Sequence, residues 1–274
     1  LPKNGESSPP AVNKPRARIG DGLPNQCLRF SAWGMMGILG KVYKKQVFHP
    51  GIPGIWLNPF FFIRRAIWRE VKHLAPHLKG HLLDFGCGSK SYRSLFSVDQ
   101  YTGLDVEQEG HSHEQEDVDV FYDGRDIPFP EGHFDSCFSS EVFEHVFDLP
   151  HSIREIYRVL KPGGSGLFVV PFVWDEHEVP YDFGRYSSFG LHHLLKEAGF
   201  ELVESRKDSH FFLVLLQLWN LYLFNLCPPN KYARLVFTAL FISPFTLLGW
   251  VLSAFLPKQS SLYFNNVVWV RKPE

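Results

Sequence analysis

The stretch that decides the fold is Leu82-Leu83-Asp84-Phe85-Gly86-Cys87-Gly88-Ser89-Lys90. A short apolar run ends at an acidic residue and a glycine turn follows, which is the pattern of a strand leading into a helix at the ligand-binding edge of a parallel sheet. Asp105 ends the next apolar run, where such sheets hold a carboxylate for ribose hydroxyls, about 20 residues on. Ser89 and Lys90 occupy the part of the turn that would approach a pyrophosphate. A nucleoside ligand without a pyrophosphate therefore fits better than a dinucleotide.

Outward from this turn, short apolar runs alternate with helical patterns, which is typical of an α/β protein. We predict a doubly wound, Rossmann-like parallel sheet of seven strands with helices on both faces. The predicted strands are 81–85, 101–106, a weaker one near 118–121, 134–139, 167–170, one that begins at 200–203, and 264–270. Apolar residues recur with helical spacing at Ile63, Ile67, Val71 and Leu74, and Asp148 is a predicted helix cap.

Composition divides the chain into four parts. Residues 1–26 are polar and rich in proline and glycine, without the apolar region of a signal peptide, and are predicted to be a disordered tail. Residues 27–79 combine an apolar stretch followed by lysines, typical of an interfacial segment, with a helix that covers the sheet. Residues 80–210 and 257–274 form the main domain. Between its last two strands, residues 211–256 carry charge only at Lys231 and Arg234 and are predicted to be a hydrophobic helical hairpin.

Composition also excludes some classes of function. Hydrophobic residues make up 45% of the 274 residues and the formal net charge is -1, so the chain can bury a core but lacks the one-sided basic surface of nucleic-acid-binding proteins. Its cysteines are scattered and form no CxxC pair. This argues against a zinc site or a disulfide framework and favours a reducing, cytosolic compartment.

Further motifs follow the first turn in order: Asp105, the acidic loop 123–129, the stretch 131–145, and a helix stop at 158–164. With the first turn, this set resembles the class I S-adenosylmethionine-dependent methyltransferases from about residue 80 to 204. The closest similarity is to the bacterial type 11 methyltransferases. Agreement of all the motifs in order makes the resemblance specific, whereas a Gly-Cys-Gly turn alone is equally compatible with an ordinary tight connection.

The resemblance implies S-adenosylmethionine as the cofactor. It also implies that the acidic loop contacts adenine, through Asp123 first and Asp126 second, and that the segment after strand four lies beside the methionine portion. The residues predicted to bind the cofactor are Asp84, Phe85, Gly86, Cys87, Gly88, Asp105, Asp123, Gly124, Ser140 and Glu141.

Methyl transfer requires alignment of donor and acceptor and, for a hydroxyl acceptor, a base. His145 follows strand four and is a candidate base, because an imidazole titrates near neutral pH. The alternative is a helix-start histidine that is bonded locally. No metal is predicted, because no cysteine or carboxylate pattern with the spacing of a zinc site accompanies His111, His113, His192 and His193.

A polar and aromatic stretch follows strand five at the ligand-facing edge of the sheet. His177 is the second catalytic candidate, and Trp174, Asp182, Arg185 and Tyr186 are predicted to line the acceptor pocket. An ion pair between Asp182 and Arg185 that only holds the loop is the alternative.

These residues predict an enzyme that methylates a small acceptor, either hydrophobic or attached to a membrane. We expect residues 211–256 to hold it on the cytosolic face of a membrane. Strands six and seven flank this segment and must both join the sheet, so a re-entrant or interface-lying pair of helices is favoured over two full spans. The alternatives are a membrane-anchored module that binds the cofactor without chemistry, a nicotinamide-dependent oxidoreductase and, for the insert, a soluble lid or a surface covered by a partner subunit.

Overall fold

The computed structural model describes residues 45–106 and 117–274. The predicted disordered tail and the first part of the predicted interfacial segment lie outside these residues. The described chain forms a seven-stranded sheet with helices on both faces, which confirms the predicted fold class. The strands are β1 His81–Phe85, β2 Gln100–Val106, β3 Val120–Tyr122, β4 Phe134–Ser140, β5 Leu160–Pro171, β6 Glu201–Lys207 and β7 Asn265–Arg271. The helices are α1 Gly54–Leu57, α2 Phe61–Leu74, α3 Leu149–Val159, α4 Ser188–Glu197, α5 Phe211–Asn225, α6 Lys231–Phe237 and α7 Ser243–Leu252.

The strand order is β3-β2-β1-β4-β5-β7-β6. It reverses between β1 and β4, and sheets of this kind bind ligands beyond the carboxyl ends of the strands at such a switch point. The expectation of a wholly parallel sheet was wrong, because β7 runs antiparallel to both of its neighbours. Since β6 ends at the ligand-binding edge and the insert returns the chain to that edge, the strand after the insert must run in the opposite direction.

The core lies on both faces of the sheet because neighbouring residues of a strand point to opposite sides. Leu82 packs in one cluster with Ile67 and the other buried residues of α2. Leu83 packs in a second cluster with Ile153 of α3 and Leu191 of α4. The periodicity that predicted α2 is confirmed, since each of its quoted apolar residues is buried.

Helix α3 begins as predicted, with the side chain of Asp148 accepting a hydrogen bond from the backbone N–H of His151. Its end differs in one respect: β5 begins at Leu160, directly after the helix, and not at residue 167. Leu160 already pairs with Phe134 of β4, and the register then shifts before the pairing of Ser136. The glycines that stop the helix therefore form an irregular first part of the strand.

The insert between β6 and β7 has a long second arm that is not one straight helix. Helices α6 and α7 are joined by a π-helical stretch, Thr238–Ile242. Pro244 lies in the first turn of α7 and has no N–H for the regular helical ladder, which accounts for the change of hydrogen-bonding pattern there. On the inner side of the first arm of the insert, the side chain of Gln217 in α5 donates a hydrogen bond to the carbonyl oxygen of Pro59 and accepts one from the N–H of Phe62. These buried polar contacts fix the insert on the soluble domain.

Candidate functional site

The turn after β1 has two glycines with different roles. Gly86 has a φ of +73°, and a Cβ there would overlap the side chain of Val142 in the loop after β4. Gly88 has a φ of +45°, and among the described residues no atom lies within 4 Å of the position of a Cβ. Gly86 is thus needed for close packing of two loops, whereas Gly88 borders open space at the switch point. The turn fits a ligand that approaches the backbone closely.

Asp105 closes this turn from the end of β2. One of its carboxylate oxygens accepts a hydrogen bond of 2.7 Å from the N–H of Gly88, and the other accepts one of 2.8 Å from the N–H of Val106. Asp105, the residue predicted to bind the ribose, is therefore also part of the structure of the turn. Its position at the carboxyl end of β2 agrees with the predicted role, which remains a prediction.

The other residues of the first motif are buried below the turn. Asp84 accepts a hydrogen bond from the hydroxyl of Tyr101. Burial raises the pKa of Asp84 to about 7, although this hydrogen bond opposes the rise. Phe85 and Cys87 are buried as well, and the Phe85 ring belongs to the core cluster of α3. The side chain of Phe85 thus supports the site from below, so only its backbone can contact a ligand.

Lys90 does not point into the turn. Its ammonium lies 2.8 Å from Asp119 and the side chain is only 9% exposed. Asp119 also accepts a hydrogen bond of 2.6 Å from the N–H of Gly103 in β2. The one cation of the first motif is therefore engaged with a carboxylate, which agrees with a ligand that brings no phosphate to this turn. Sequence reasoning missed Asp119, because a carboxylate that bonds to a strand N–H has no distinctive spacing.

The predicted adenine contacts lie in the loop after β3. Asp123 is exposed and accepts a hydrogen bond of 2.9 Å from the N–H of Arg125. Gly124 has a φ of +79°, a conformation that glycine adopts without strain. Asp126, the second adenine candidate, lies 3.0 Å from a ring nitrogen of His151. Asp123 is thus the better placed of the two carboxylates, and its role stays a prediction.

Ser140 and Glu141 mark the end of β4 on the other side of the switch point. Glu141 has a φ of +59°, which is strained for a residue with a side chain. The hydroxyl of Ser140 and one carboxyl oxygen of Glu141 are buried, and no described residue gives either of them a hydrogen bond. Burial raises the pKa of Glu141 to about 7, against the charges of Arg64 and Arg185. Buried polar atoms without partners and strained backbone are both typical of ligand sites.

His145 and His177 lie together, with ring centroids 4.7 Å apart. The Nδ1 of His145 is 2.8 Å from the carbonyl oxygen of Tyr181, so Nδ1 donates and Nε2 is left as the proton acceptor. Its hydrogen bond reaches 36 positions along the chain, which is not the local bond of the alternative interpretation. The Nε2 atom lies 3.6 Å from Glu178 and 3.7 Å from Glu144.

Glu144 is a site residue that sequence reasoning missed. It is completely buried, and within the described part of the chain neither carboxyl oxygen has a hydrogen-bond partner. Burial, followed by the charge of Glu141, raises the pKa of Glu144 well above its ordinary value. Glu144, His145 and His177 bring three atoms of metal-binding type within 4.8 Å of one another. The spacing of the two histidines in the sequence gave no sign of this cluster.

Asp182 and Arg185 form the ion pair that was the alternative to an acceptor-binding role. The Nη2 of Arg185 lies 2.7 Å from Asp182, and the same carboxyl oxygen accepts a 2.9 Å hydrogen bond from the N–H of His177. Burial would raise the pKa of Asp182, but these hydrogen bonds and the Arg185 charge hold it below its ordinary value. The pair therefore holds the loop that carries His177.

The remaining acceptor-pocket candidates flank this loop. The ring of Trp174 packs edge-on against Phe60, at a centroid distance of 5.7 Å. The carbonyl oxygen of Tyr186 accepts a hydrogen bond of 2.7 Å from Asn266 of β7. Both residues thus have structural contacts, and their contact with an acceptor stays a prediction.

Comparison with known proteins agrees with this geometry. Residues 83–168 match the family described as "Methyltransferase domain", of type 11. The chain is 31% identical over 106 residues to a malonyl-[acyl-carrier protein] O-methyltransferase of Erwinia pyrifoliae, a match that covers 36% of this chain and 40% of that protein. It is 30% identical over 166 residues to an O-methyltransferase of Penicillium expansum, covering 50% of this chain and 58% of that protein. The chain thus spans about half the length of these relatives or less.

A solved structure has the same fold. Phosphoethanolamine N-methyltransferase 2 of Haemonchus contortus, in complex with S-adenosyl-L-methionine, superimposes with a TM-score of 0.50 at 19% identity, covering 86% of this chain and 57% of that one. Residues 83–168 thus match a methyltransferase domain of type 11, and the fold and the switch-point turn agree with the class I S-adenosylmethionine-dependent architecture. The match supports S-adenosylmethionine as the cofactor of this domain.

Proposed function

We propose that this protein is an enzyme that transfers the methyl group of S-adenosylmethionine to a small acceptor, either hydrophobic or held in a membrane. The proposal depends on the loop after β4, in which buried polar atoms without partners in the described part of the chain and a histidine nitrogen that can accept a proton lie within six residues of chain. Ser140 and Glu141 have buried polar atoms without partners among the described residues. His145 presents Nε2 as a proton acceptor a few residues later. One short segment thus joins the proposed cofactor side to the proposed acceptor side.

The proposed division of labour follows from these contacts. When bound, S-adenosylmethionine supplies an electrophilic methyl group. Gly86 packs the turn against the loop after β4 and Gly88 lets the backbone approach the cofactor, while Asp105 and Asp123 accept hydrogen bonds from it. Nε2 of His145 takes the proton of the acceptor, while His177, held by Asp182, lies against the same imidazole.

The hydrophobic nature of the acceptor is supported by the outer surface of the insert, residues 211–256. Large apolar side chains are exposed on each of its helices, including Trp219 on α5, Val236 on α6 and Trp250 on α7. Large apolar side chains exposed in such number on one segment are typical of a surface that contacts a membrane or another molecule. We infer that this surface rests on the cytosolic face of a membrane.

The lengths of the helices favour a surface position. Helix α5 has 15 residues, or about 22 Å at 1.5 Å per residue, which is short of the ~30 Å hydrocarbon core of a bilayer. The second arm, Lys231–Leu252, is long and apolar enough to cross a membrane by length and composition. Since the two ends of the whole insert join β6 and β7 of one sheet, an interface-lying or re-entrant arrangement is the form that we propose.

The test is mass spectrometry of a lipid extract incubated with the protein and isotopically labelled S-adenosylmethionine. A lipid that gains one labelled methyl group would establish the activity and name the acceptor class. Label only in water-soluble molecules would refute a hydrophobic acceptor. If S-adenosylhomocysteine raises the melting temperature but no molecule is labelled, the binding module without chemistry is the better description.

A further inference from the structure

A cavity of about 630 Å³ opens at the end of β6, outside the site described above. Its walls are the segment after β6, the start of α5, the end of α7 and the chain that leads back to β7. Because β6 runs parallel to β5, the cavity is on the same edge of the sheet as the methyltransferase site.

One wall of the cavity is positively charged. Lys207 and Lys258 are both exposed there, and the ammonium of Lys207 lies 3.2 Å from the carbonyl oxygen of Ser260. Arg69 contributes a third cation, and although it pairs with Glu70 at 2.8 Å, its side chain stays 64% exposed. These cations come from three separate elements and converge on one opening, which concentrates positive potential at its mouth.

The acid in the cavity wall, Asp208, does not neutralise these cations. Its two carboxyl oxygens accept hydrogen bonds of 2.9 and 2.6 Å from the backbone N–H and the side chain of Asn265 in β7. Its side chain is thus directed to the sheet. Burial raises the pKa of Asp208 to about 7, so that near neutral pH it carries only part of a charge.

Buried polar groups without partners lie beside the cations. His210 is only 8% exposed, and neither its Nδ1 nor the hydroxyl of Ser209 has a hydrogen-bond partner within residues 45–106 and 117–274. Burial, and then the charges of Lys258 and Arg69, lower the pKa of His210. Helix α5 begins at the next residue, without a hydrogen bond from a capping side chain of the described chain. The N–H of Phe211 donates to the carbonyl oxygen of Gln259 at 2.8 Å. An anion here would therefore meet the positive end of the helix dipole and the unpartnered side-chain groups, and not this N–H.

The opposite wall is apolar. It consists of Leu213 at the start of α5, Trp250 and Val251 near the end of α7, and Phe255 just beyond it. Trp250, Val251 and Phe255 are also part of the exposed apolar surface of the insert. The cavity therefore joins a site for an anion to a surface for hydrocarbon.

We propose that this cavity binds the phosphate group of an anionic lipid, with the lipid chain lying along the apolar wall of the insert. The inference rests on the membrane contact proposed above, and it adds a specific headgroup site to that contact. Asp208 follows β6 directly, so a lipid held here lies on the same edge of the sheet as the end of β4.

The first test measures co-sedimentation of the full chain with phosphatidylcholine vesicles, with and without phosphatidate. Phosphatidate should tighten binding of the natural protein by about tenfold, equivalent to ~1.4 kcal/mol. Lys258→Gln should lose most of this gain. The matched control is Lys231→Gln, which removes the same charge from the insert outside the cavity and should keep the gain. Equal losses in the two variants would indicate diffuse attraction to a charged surface and overturn the proposal.

The second test needs no membrane. Soluble dihexanoyl phosphatidate should raise the melting temperature of the natural protein and of Lys231→Gln, but not that of Lys258→Gln. An equal rise with inorganic phosphate would make the cavity a site for free phosphate and overturn the lipid assignment. A rise with the soluble lipid but no binding to either vesicle would support the cavity and refute the membrane contact. Equal binding to both vesicles and no rise would refute the cavity alone.

Discussion

The backbone N–H of Gly88 donates a 2.7 Å hydrogen bond to the carboxylate of Asp105. This bond joins the turn after β1 to the end of β2. Asp105, which is proposed to bind the ribose, therefore also shapes the loop that approaches the cofactor. Cofactor affinity should therefore depend on Asp105 in two ways, by direct contact and through the turn.

Asp105→Ala should weaken S-adenosylhomocysteine binding by about tenfold to a hundredfold, the loss expected for a hydrogen bond to a charged group. Isothermal titration calorimetry gives the affinity, and circular dichroism checks that the fold is retained. Asp99→Ala, which removes a carboxylate just before β2 and away from the turn, is the control and should bind normally. An unchanged affinity in Asp105→Ala would refute the assigned role.

The two glycines of the turn should respond differently to alanine. Gly86→Ala should lower the free energy of unfolding by about 1–3 kcal/mol, because its Cβ would overlap Val142. In a Val142→Ala background, Gly86→Ala should cost less stability than it does in the natural protein, because the overlapping side chain is gone. Gly88→Ala meets no described atom within 4 Å and carries only the strain of its positive φ, so it should lose less stability than Gly86→Ala while weakening cofactor binding. Chemical denaturation measures all four, and equal destabilisation by both alanines would contradict this account.

Stability should fall as pH rises through the titration of Asp84. Its pKa in the folded protein is about 7 against an ordinary value of 3.8, so between these values the folded state keeps a proton that the unfolded chain releases. One such proton lowers the free energy of unfolding by about 1.4 kcal/mol per pH unit across this range. Asp84→Asn should reduce the slope of stability against pH between about 4 and 7.

The control for this experiment is Asp135→Asn. Hydrogen bonds from His81 and Lys161 hold the pKa of Asp135 below its ordinary value despite some burial. The contribution of Asp135 to stability is complete above the pKa of the unfolded chain. Its removal should therefore leave the slope of stability against pH unchanged between about pH 5 and 7. Identical slopes for Asp84→Asn and the natural protein would show that Asp84 does not contribute to the fall of stability with pH.

His145→Ala should lower kcat by about a hundredfold, as expected for loss of a general base, with a much smaller effect on cofactor affinity. His177→Ala should act in the same direction, because its ring lies against His145. His193→Ala, an exposed histidine on α4, is the control for the substitution itself. If cofactor affinity falls while turnover of the bound complex does not, the two histidines belong to the cofactor side.

Membrane contact can be tested with two exposed phenylalanines. Phe241 on the insert is 54% exposed and Phe189 on α4 is 83% exposed. Phe241→Glu should reduce flotation with phosphatidylcholine vesicles severalfold, since burying a charge in the interface costs about 1 kcal/mol or more. Phe189→Glu should float like the natural protein. A natural protein that stays monodisperse in water and does not float would exclude the membrane contact altogether.

The parts of this molecule that the sequence predicts are those set by neighbouring residues. The turn from Asp84 to Gly88, the capping Asp148 and the buried face of α2 all depend on short-range patterns, and the structure has them where expected. The type 11 assignment depends on the same local motifs in order, so it requires no knowledge of contacts between distant residues.

What the sequence does not predict depends on contacts between distant residues. The burial of Glu144, the bond from His145 to Tyr181 and the pairing of β7 with both β5 and β6 arise only when separate elements pack. Likewise, Arg69 and Lys258 are nearly the whole domain apart in sequence but line one cavity. Periodicity and motif spacing carry no information on such long-range contacts.

The position of β7 also has a consequence for synthesis. The ribosome makes β5, then β6, then the apolar insert, and only afterwards the strand that separates β5 from β6 in the sheet. Until β7 emerges, β5 has one open edge and β6 has no partner strand, a state prone to wrong pairing. The sheet therefore cannot close around β6 until the strand that follows the whole insert has been made.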